Sequence, residues 1–152
     1  MKIQIEVNNT TESPLADDFF AVVAEKTIEA VREVQERKVF LDDKVVSISV
    51  ALVSEAEMQK LNRENRDKDS VTDILSFCEY ENIEEIQKVA EEELFLGELI
   101  LCYDDIKKYA VEQNLDLQKE LVNVTSHGVL HLLGFAHGDQ MFGIQEQVTK
   151  IS

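Results

Sequence analysis

The chain has 152 residues, 44% of them hydrophobic, and its 31 acidic against 15 basic side chains give a formal charge of −16. That length supports one domain with a real core, and no apolar run approaches the roughly 20 residues of a membrane span. The charge excludes nucleic-acid binding through a general positive field, so any phosphate contact must come from local Lys and Arg.

Lys2 to Asn8 alternates polar and apolar residues and predicts a first strand, with Ile3, Ile5 and Val7 on one face. The same segment lacks the continuous apolar stretch of a signal peptide. Ser13-Pro14 reads as an N-cap followed by proline at the first helical position, predicting a helix to about Arg37. The β-branched run Lys44 to Ser54 predicts a second strand. Ser54-Glu-Ala-Glu57 is a capping-box pattern that opens a second helix ending near Asn62–Arg66. Arg63, Arg66 and Lys68 form a basic cluster in this acidic chain, and a polar loop leads on to a short strand over Thr72–Phe77.

The acid-rich stretch from Glu79 to Glu93 reads as a solvated loop or helix face. Leu94 to Cys102 predicts another strand, in which Gly97 signals a bulge or a close backbone approach. Asp104 to Asn114 predicts a helix, and Asp116 caps the next one. Met141, Ile144, Val148 and Ile151 recur at helical spacing and predict a final helix packed on the body. Four strands interleaved with five helices make an α/β (α+β) fold with a mixed sheet; its strand order is not readable from one sequence. Cys78 and Cys102 are too few and too isolated for a disulfide framework or a CxxC zinc site. Both lie in strand-like apolar segments, which predicts buried, reduced thiols in a cytoplasmic protein.

All three histidines of the chain fall in one window, His127-Gly-Val-Leu-His131-Leu-Leu-Gly134-Phe-Ala-His137. A lone histidine on an apolar helix is usually a packed core residue; three at metal-ligand spacing are much harder to explain that way. His127 and His131 share one helix face at i, i+4. Gly134 suits the left-handed turn that ends the helix and returns the chain, so that His137 can reach the same ion. Three neutral nitrogens leave a fourth position open, as in a catalytic zinc site. The histidines and the glycine match the H-E-x-x-H-x-x-G-x-x-H pattern of zinc proteases, but Gly128 stands where those enzymes carry their proton-transferring glutamate. This weighs against peptide hydrolysis.

The same window resembles the HGxLHLxGYDH signature of the YbeY-like bacterial endoribonucleases. Leu61-Asn-Arg-Glu-Asn-Arg-Asp-Lys-Asp69 and Thr72-Asp-Ile-Leu-Ser-Phe77 are similar to that family's NRxxRxxD…PTDVLSF stretch. Leu96-Gly-Glu-Leu-Ile-Leu-Cys102 resembles its LGDIxIS strand, so the resemblance runs from about Val45 to His137. It implies a single domain over residues 1–152 that acts as a metal-dependent, single-strand-specific endoribonuclease in ribosomal RNA maturation and ribosome quality control. It further implies one divalent ion, with zinc expected, on His127, His131 and His137, and Arg66 as the catalytic arginine. Implied partners are single-stranded RNA and ribosomal RNA, with ribosomal or ribosome-assembly proteins beside them.

Thr72, Asp73 and Ser76 are candidate substrate-positioning residues, with turn and strand-edge hydrogen bonding as the equal alternative. Ala136 stands where the family has an Asp, which removes an acceptor for a ligand imidazole; Asp139 is a candidate replacement. Gly128 is expected to leave room beside the ion for the RNA backbone. The attacking group is either water activated at the ion or the adjacent ribose 2′-OH. Two other functions compete: a zinc-dependent hydrolase of another substrate, and a non-catalytic module in which a metal staples the last helix to the body.

Overall fold

The computed structural model describes residues 1–34 and 40–152. Along the chain run β1 (Lys2–Asn9), α1 (Phe19–Val34), β2 (Val45–Leu52), α2 (Glu55–Arg66), β3 (Ile74–Cys78), α3 (Ile83–Gln87), β4 (Glu93–Leu101), α4 (Tyr103–Glu112), α5 (Leu117–Leu132) and α6 (Asp139–Ile151). The strands form one mixed sheet in the order β1-β2-β4-β3, with β1, β2 and β4 parallel and β3 antiparallel to β4. The antiparallel edge strand β3 lines a cleft along its whole length, together with residues of α4 and α5.

Strand β2 alternates, burying Val46, Ile48, Val50 and Leu52 toward the main core. On β4 a bulge lies between the pairs Ser47–Phe95 and Ile48–Gly97. The extra residue is Leu96; it shifts the phase, so Leu94 before it, Leu96 itself, and Leu99 and Leu101 after it all enter that core. Gly97 has φ +140°, and a Cβ there would lie 2.2 Å from the Phe77 carbonyl oxygen and 2.9 Å from Leu132 Cδ2. The glycine therefore serves both the bulge and the close approach of β3. A smaller cluster of Met58, Leu75, Ile100 and Cys102 holds α2 against the other face of the sheet.

Several expectations need correction. Helix α1 begins at Phe19, five residues after Pro14, because Asn9 captures the Ser13 backbone. Its Oδ1 accepts from the Ser13 N–H at 3.0 Å and its Nδ2 donates to the Ser13 carbonyl at 2.9 Å. The expected end of that helix near Arg37 lies outside the described residues. Within the acidic stretch Asn82 caps the short α3, a sixth helix, which buries Ile83 and Ile86. Two apolar anchors are too few to show a period in the sequence. Val7 and Ile151 are 39% and 60% exposed, since each lies toward the open end of its element.

Candidate metal centre and cleft

Helix α5 runs through the core and is capped by Asp116, whose carboxylate accepts from the Lys119 N–H at 3.0 Å. From Leu121 to Leu133 every residue is buried except Asn123, His127 and His131, at i, i+4 and i+8. This half-buried polar stripe floors a cleft of about 810 Å³. The helix ends as expected: Gly134 has φ +92°, its N–H bonds the His131 carbonyl at 2.9 Å, and the Phe135 N–H bonds the Leu130 carbonyl at 3.0 Å. A Cβ at Gly134 would also lie 2.5 Å from Asn82 Cα, so α3 packs directly on the turn.

The turn brings His137 back to the other two. His131 Nε2 lies 3.0 Å and His137 Nε2 3.2 Å from His127 Nε2. The opposite ring atoms decide the tautomers. His127 Nδ1 is 3.1 Å from Gln145 Oε1, and His131 Nδ1 is 3.2 Å from the Phe135 carbonyl. Both acceptors require a proton on Nδ1, which leaves the two Nε2 lone pairs facing one another. Two acceptors that close repel unless a cation lies between them. Ligands bound at 2.0–2.1 Å with tetrahedral angles sit about 3.3 Å apart, so this spacing fits a metal ion. Among the described residues the three histidines are the one group of this kind, and they can hold a metal. Burial, followed by the repulsion a proton on His131 would meet from protonated His127 or His137, holds the His131 pKa below the usual histidine value, with Arg66 adding in the same direction.

The acceptors for the imidazoles are thus Gln145 and a backbone carbonyl. Asp139, the candidate replacement for the missing acid at Ala136, opens α6 and makes no hydrogen bond to His137 among the described residues. His137 is exposed and stacks on Phe142 with ring centroids 6.0 Å apart. Gly128 does not open space at the metal. A Cβ there would meet Ile74 Cδ1 at 2.6 Å and Leu99 Cδ2 at 2.9 Å, so the glycine lets α5 lie close on β3 and β4.

Arg66, the last residue of α2, is exposed and lines the same cleft. Asp67 follows in the left-handed conformation at φ 55°, its N–H bonding the Asn62 carbonyl. Asn62 is buried and donates from Nδ2 to the Ser70 carbonyl at 2.9 Å, which pins the loop after the helix. Arg63 turns away to pair with Asp69, so Arg66 is the member of the basic cluster that faces the cleft.

Thr72, Asp73 and Ser76 also line the cleft, half-buried at the start of β3 and along it. Asp73 Oδ1 accepts from the Ile74 N–H at 2.8 Å and from Thr72 Oγ1 at 3.4 Å, the local bonding expected of a strand start. Cys102 is buried, but Cys78 is exposed at the end of β3, where the edge strand leaves the sheet. Its Sγ donates to the His131 carbonyl at 3.2 Å, and partial burial pushes its pKa up, so it remains a thiol.

Besides Asn65 and Tyr109, the cleft contains four further polar residues that sequence reasoning missed: Asp105, Glu120, Asn123 and Gln145. Burial, then the charge of Asp73, raises the pKa of both Asp105 and Glu120. A signal for three of the four lay in the chain. Glu120 and Asn123 precede His127 by seven and four residues, continuing its helix face, and Gln145 interrupts the apolar stripe of α6. Asp105 reaches the cleft through the packing of α4, which no spacing reveals.

Known proteins place this geometry. The family model described as Endoribonuclease YbeY matches residues 6–151. A protein named Endoribonuclease YbeY from Finegoldia magna is 36% identical over 136 residues, 90% of this chain and 82% of its own length. One of the same name from Staphylococcus saprophyticus is 39% identical over 106 residues, 66% of this chain and 69% of its own. The solution structure of a Thermotoga maritima protein superposes with a TM-score of 0.57 at 27% identity, over 97% of this chain and 87% of that one. A match spanning nearly every element, from β1 to the end of α6, means that the chain belongs to the endoribonuclease YbeY family.

Proposed function

We propose that this chain is a metal-dependent endoribonuclease that cuts single-stranded RNA and serves ribosomal RNA maturation and ribosome quality control in the cytoplasm. The observation that carries the reading is the convergence of three histidine Nε2 atoms at a cleft whose rim bears Arg66. The donor set of three neutral nitrogens at near-tetrahedral spacing favours one zinc ion. When bound, that ion supplies Lewis acidity, drawing charge from a phosphate oxygen and making nearby water more acidic.

The chain's own residues do the rest. Gln145 and the Phe135 carbonyl hold the His127 and His131 rings with Nε2 directed into the site. Arg66 forks two hydrogen bonds onto the scissile phosphate and stabilises the charge that develops there. Thr72, Asp73 and Ser76 position the ribose and base beside it, as their places in the cleft support. The acidic surface of the chain suits basic ribosomal or ribosome-assembly proteins as partners.

The test is cleavage by purified protein of single-stranded RNA, duplex RNA and an unfolded protein, each with and without chelator. Chelator-sensitive cutting of single strands alone is expected, and a 2′-deoxy substitution at the cut site separates water from the 2′-OH as nucleophile. Proteolysis would transfer the site to another hydrolase chemistry. Metal binding without any cleavage would leave a metal-stapled binding module.

A further inference from the structure

The cleft does not stop at the histidines. Asn123 and Gln145 line it and also line a second groove of about 360 Å³ between α5 and α6, bordered by Lys119, Phe142, Glu146 and Lys150. Phe142 is 49% exposed although its ring already stacks on His137. A phenyl ring left half in water beside a metal-ligand candidate is an uncovered platform. The flanking charge is also unusual for a chain of formal charge −16. Lys119 makes no ion pair among the described residues, and Lys150 pairs only with the exposed Glu146, an interaction that a phosphate can displace. Asp73, Asp105 and Glu120 line the cleft itself, and Glu120 bonds Asn123 at the junction of cleft and groove, so a flanking phosphate is drawn to the lysines bordering the second groove rather than to these carboxylates.

We infer that Phe142 is a base-stacking subsite, on which an unpaired nucleotide flanking the scissile phosphate lies, with Lys119 and Lys150 holding its backbone. This rests on the ribonuclease reading and adds a cause for single-strand preference. Stacking on a side chain needs a base face freed from its neighbours, which a duplex does not offer. Aromatic platforms accept any base, so the subsite gives grip and register rather than sequence choice.

The chain has no tryptophan, so Phe142→Trp installs a single reporter at the platform. Metal-loaded protein is titrated with a short 2′-O-methyl oligouridine, following tryptophan emission and, separately, the anisotropy of labelled oligonucleotide. Binding should quench the tryptophan and leave affinity at or above the parental value. Phe142→Ala should weaken binding about tenfold, within the roughly 5- to 150-fold range of one base stacked on an aromatic ring. Lys119→Ala with Lys150→Ala should flatten the salt dependence by about 0.7 in slope for each phosphate that is no longer neutralised. Metal content, measured in every variant, should stay parental, which a general disturbance of His137 would not allow. An oligonucleotide of abasic sites should lose the Phe142 effect and keep the lysine effect. If the parental protein binds and cuts RNA while Phe142→Ala binds equally well, or the tryptophan does not respond at saturation, the platform is refuted and the ribonuclease stands. If the parental protein neither binds nor cuts RNA, both fall.

Discussion

Gln145 Oε1 accepts a hydrogen bond from His127 Nδ1 at 3.1 Å, and the amide cannot turn round to donate instead. Its Nε2 is committed to Asn123, at 2.7 Å from Oδ1 and 3.2 Å from the backbone carbonyl. The glutamine therefore sets the tautomer of the histidine that both other ligand candidates approach. Gln145→Leu should keep the fold and weaken metal binding about 10- to 100-fold, whereas Gln145→Glu, still an acceptor, should retain it. Competition against a chromophoric chelator reads both. Equal affinities in all three proteins would show that the hydrogen bond has no part in metal binding.

The metal itself gives a direct test. Protein purified without chelator or a histidine tag should carry one divalent ion per chain. The His127→Ala, His131→Ala double variant should carry none, because one remaining exposed imidazole cannot hold it. Unchanged metal content in that variant would mean that the ligands lie elsewhere.

Arg66 is exposed and makes no ion pair among the described residues, so its removal should leave the thermal midpoint and the metal content near parental. RNA cleavage by Arg66→Ala should nevertheless fall by at least about 100-fold, the scale of losing one transition-state donor. Lysine should rescue poorly, since a point charge lacks the planar fork. A fully active alanine variant would remove Arg66 from the mechanism.

Gly128 should behave as a packing residue. Alanine gains about 1 kcal/mol of helix propensity but must displace Ile74 and Leu99, an overpacking cost of about 1–3 kcal/mol. The net expectation is a loss of about 1 kcal/mol in denaturant unfolding, with parental metal affinity. Gly128→Glu drives a carboxylate into the same apolar surroundings and should lose more than about 3 kcal/mol or fail to fold. Normal stability together with abolished cleavage in the alanine variant would restore a role at the RNA backbone.

Acid should loosen the metal-free protein through His131. Its folded pKa is depressed, so below the ordinary histidine value near 6.5 the unfolded chain binds more protons than the folded one. Stability contributed by the neutral ring is present above that value and is lost as pH falls through the folded pKa. Urea unfolding of chelated protein between about pH 5 and 8 should show this slope, and His131→Gln should flatten it. The same protons compete with the ion for Nε2, so metal affinity should fall over the same range. An unchanged slope in the variant would assign the acid sensitivity to other groups.

Local features are readable wherever a short range of residues decides them. The i, i+4 histidines, the left-handed Gly134, the Ser54 and Asp116 caps and the bulge at Gly97 follow from backbone geometry and side-chain reach within one or two turns. The start of α1 differs from its sequence expectation although the cause is also local. Proline after serine suits a helix start, but Asn9, four residues earlier, binds the Ser13 backbone more directly.

The amino-acid order settled nine of the ten elements, the histidine triad and the family resemblance, because periodicity, capping and ligand spacing are properties of neighbours along the chain. Folding in three dimensions assigned what depends on partners far apart in it. It put β3 antiparallel at the sheet edge, turned Gly128 toward Ile74 and Leu99, and left Cys78 exposed against the His131 carbonyl. It also brought Gln145 across to His127, eighteen residues away, and Asp105 into the cleft. Hydrogen bonds and apolar packing between separate elements act over a few ångströms of space whatever the sequence separation, so one chain read in order does not show which distant side chains will meet.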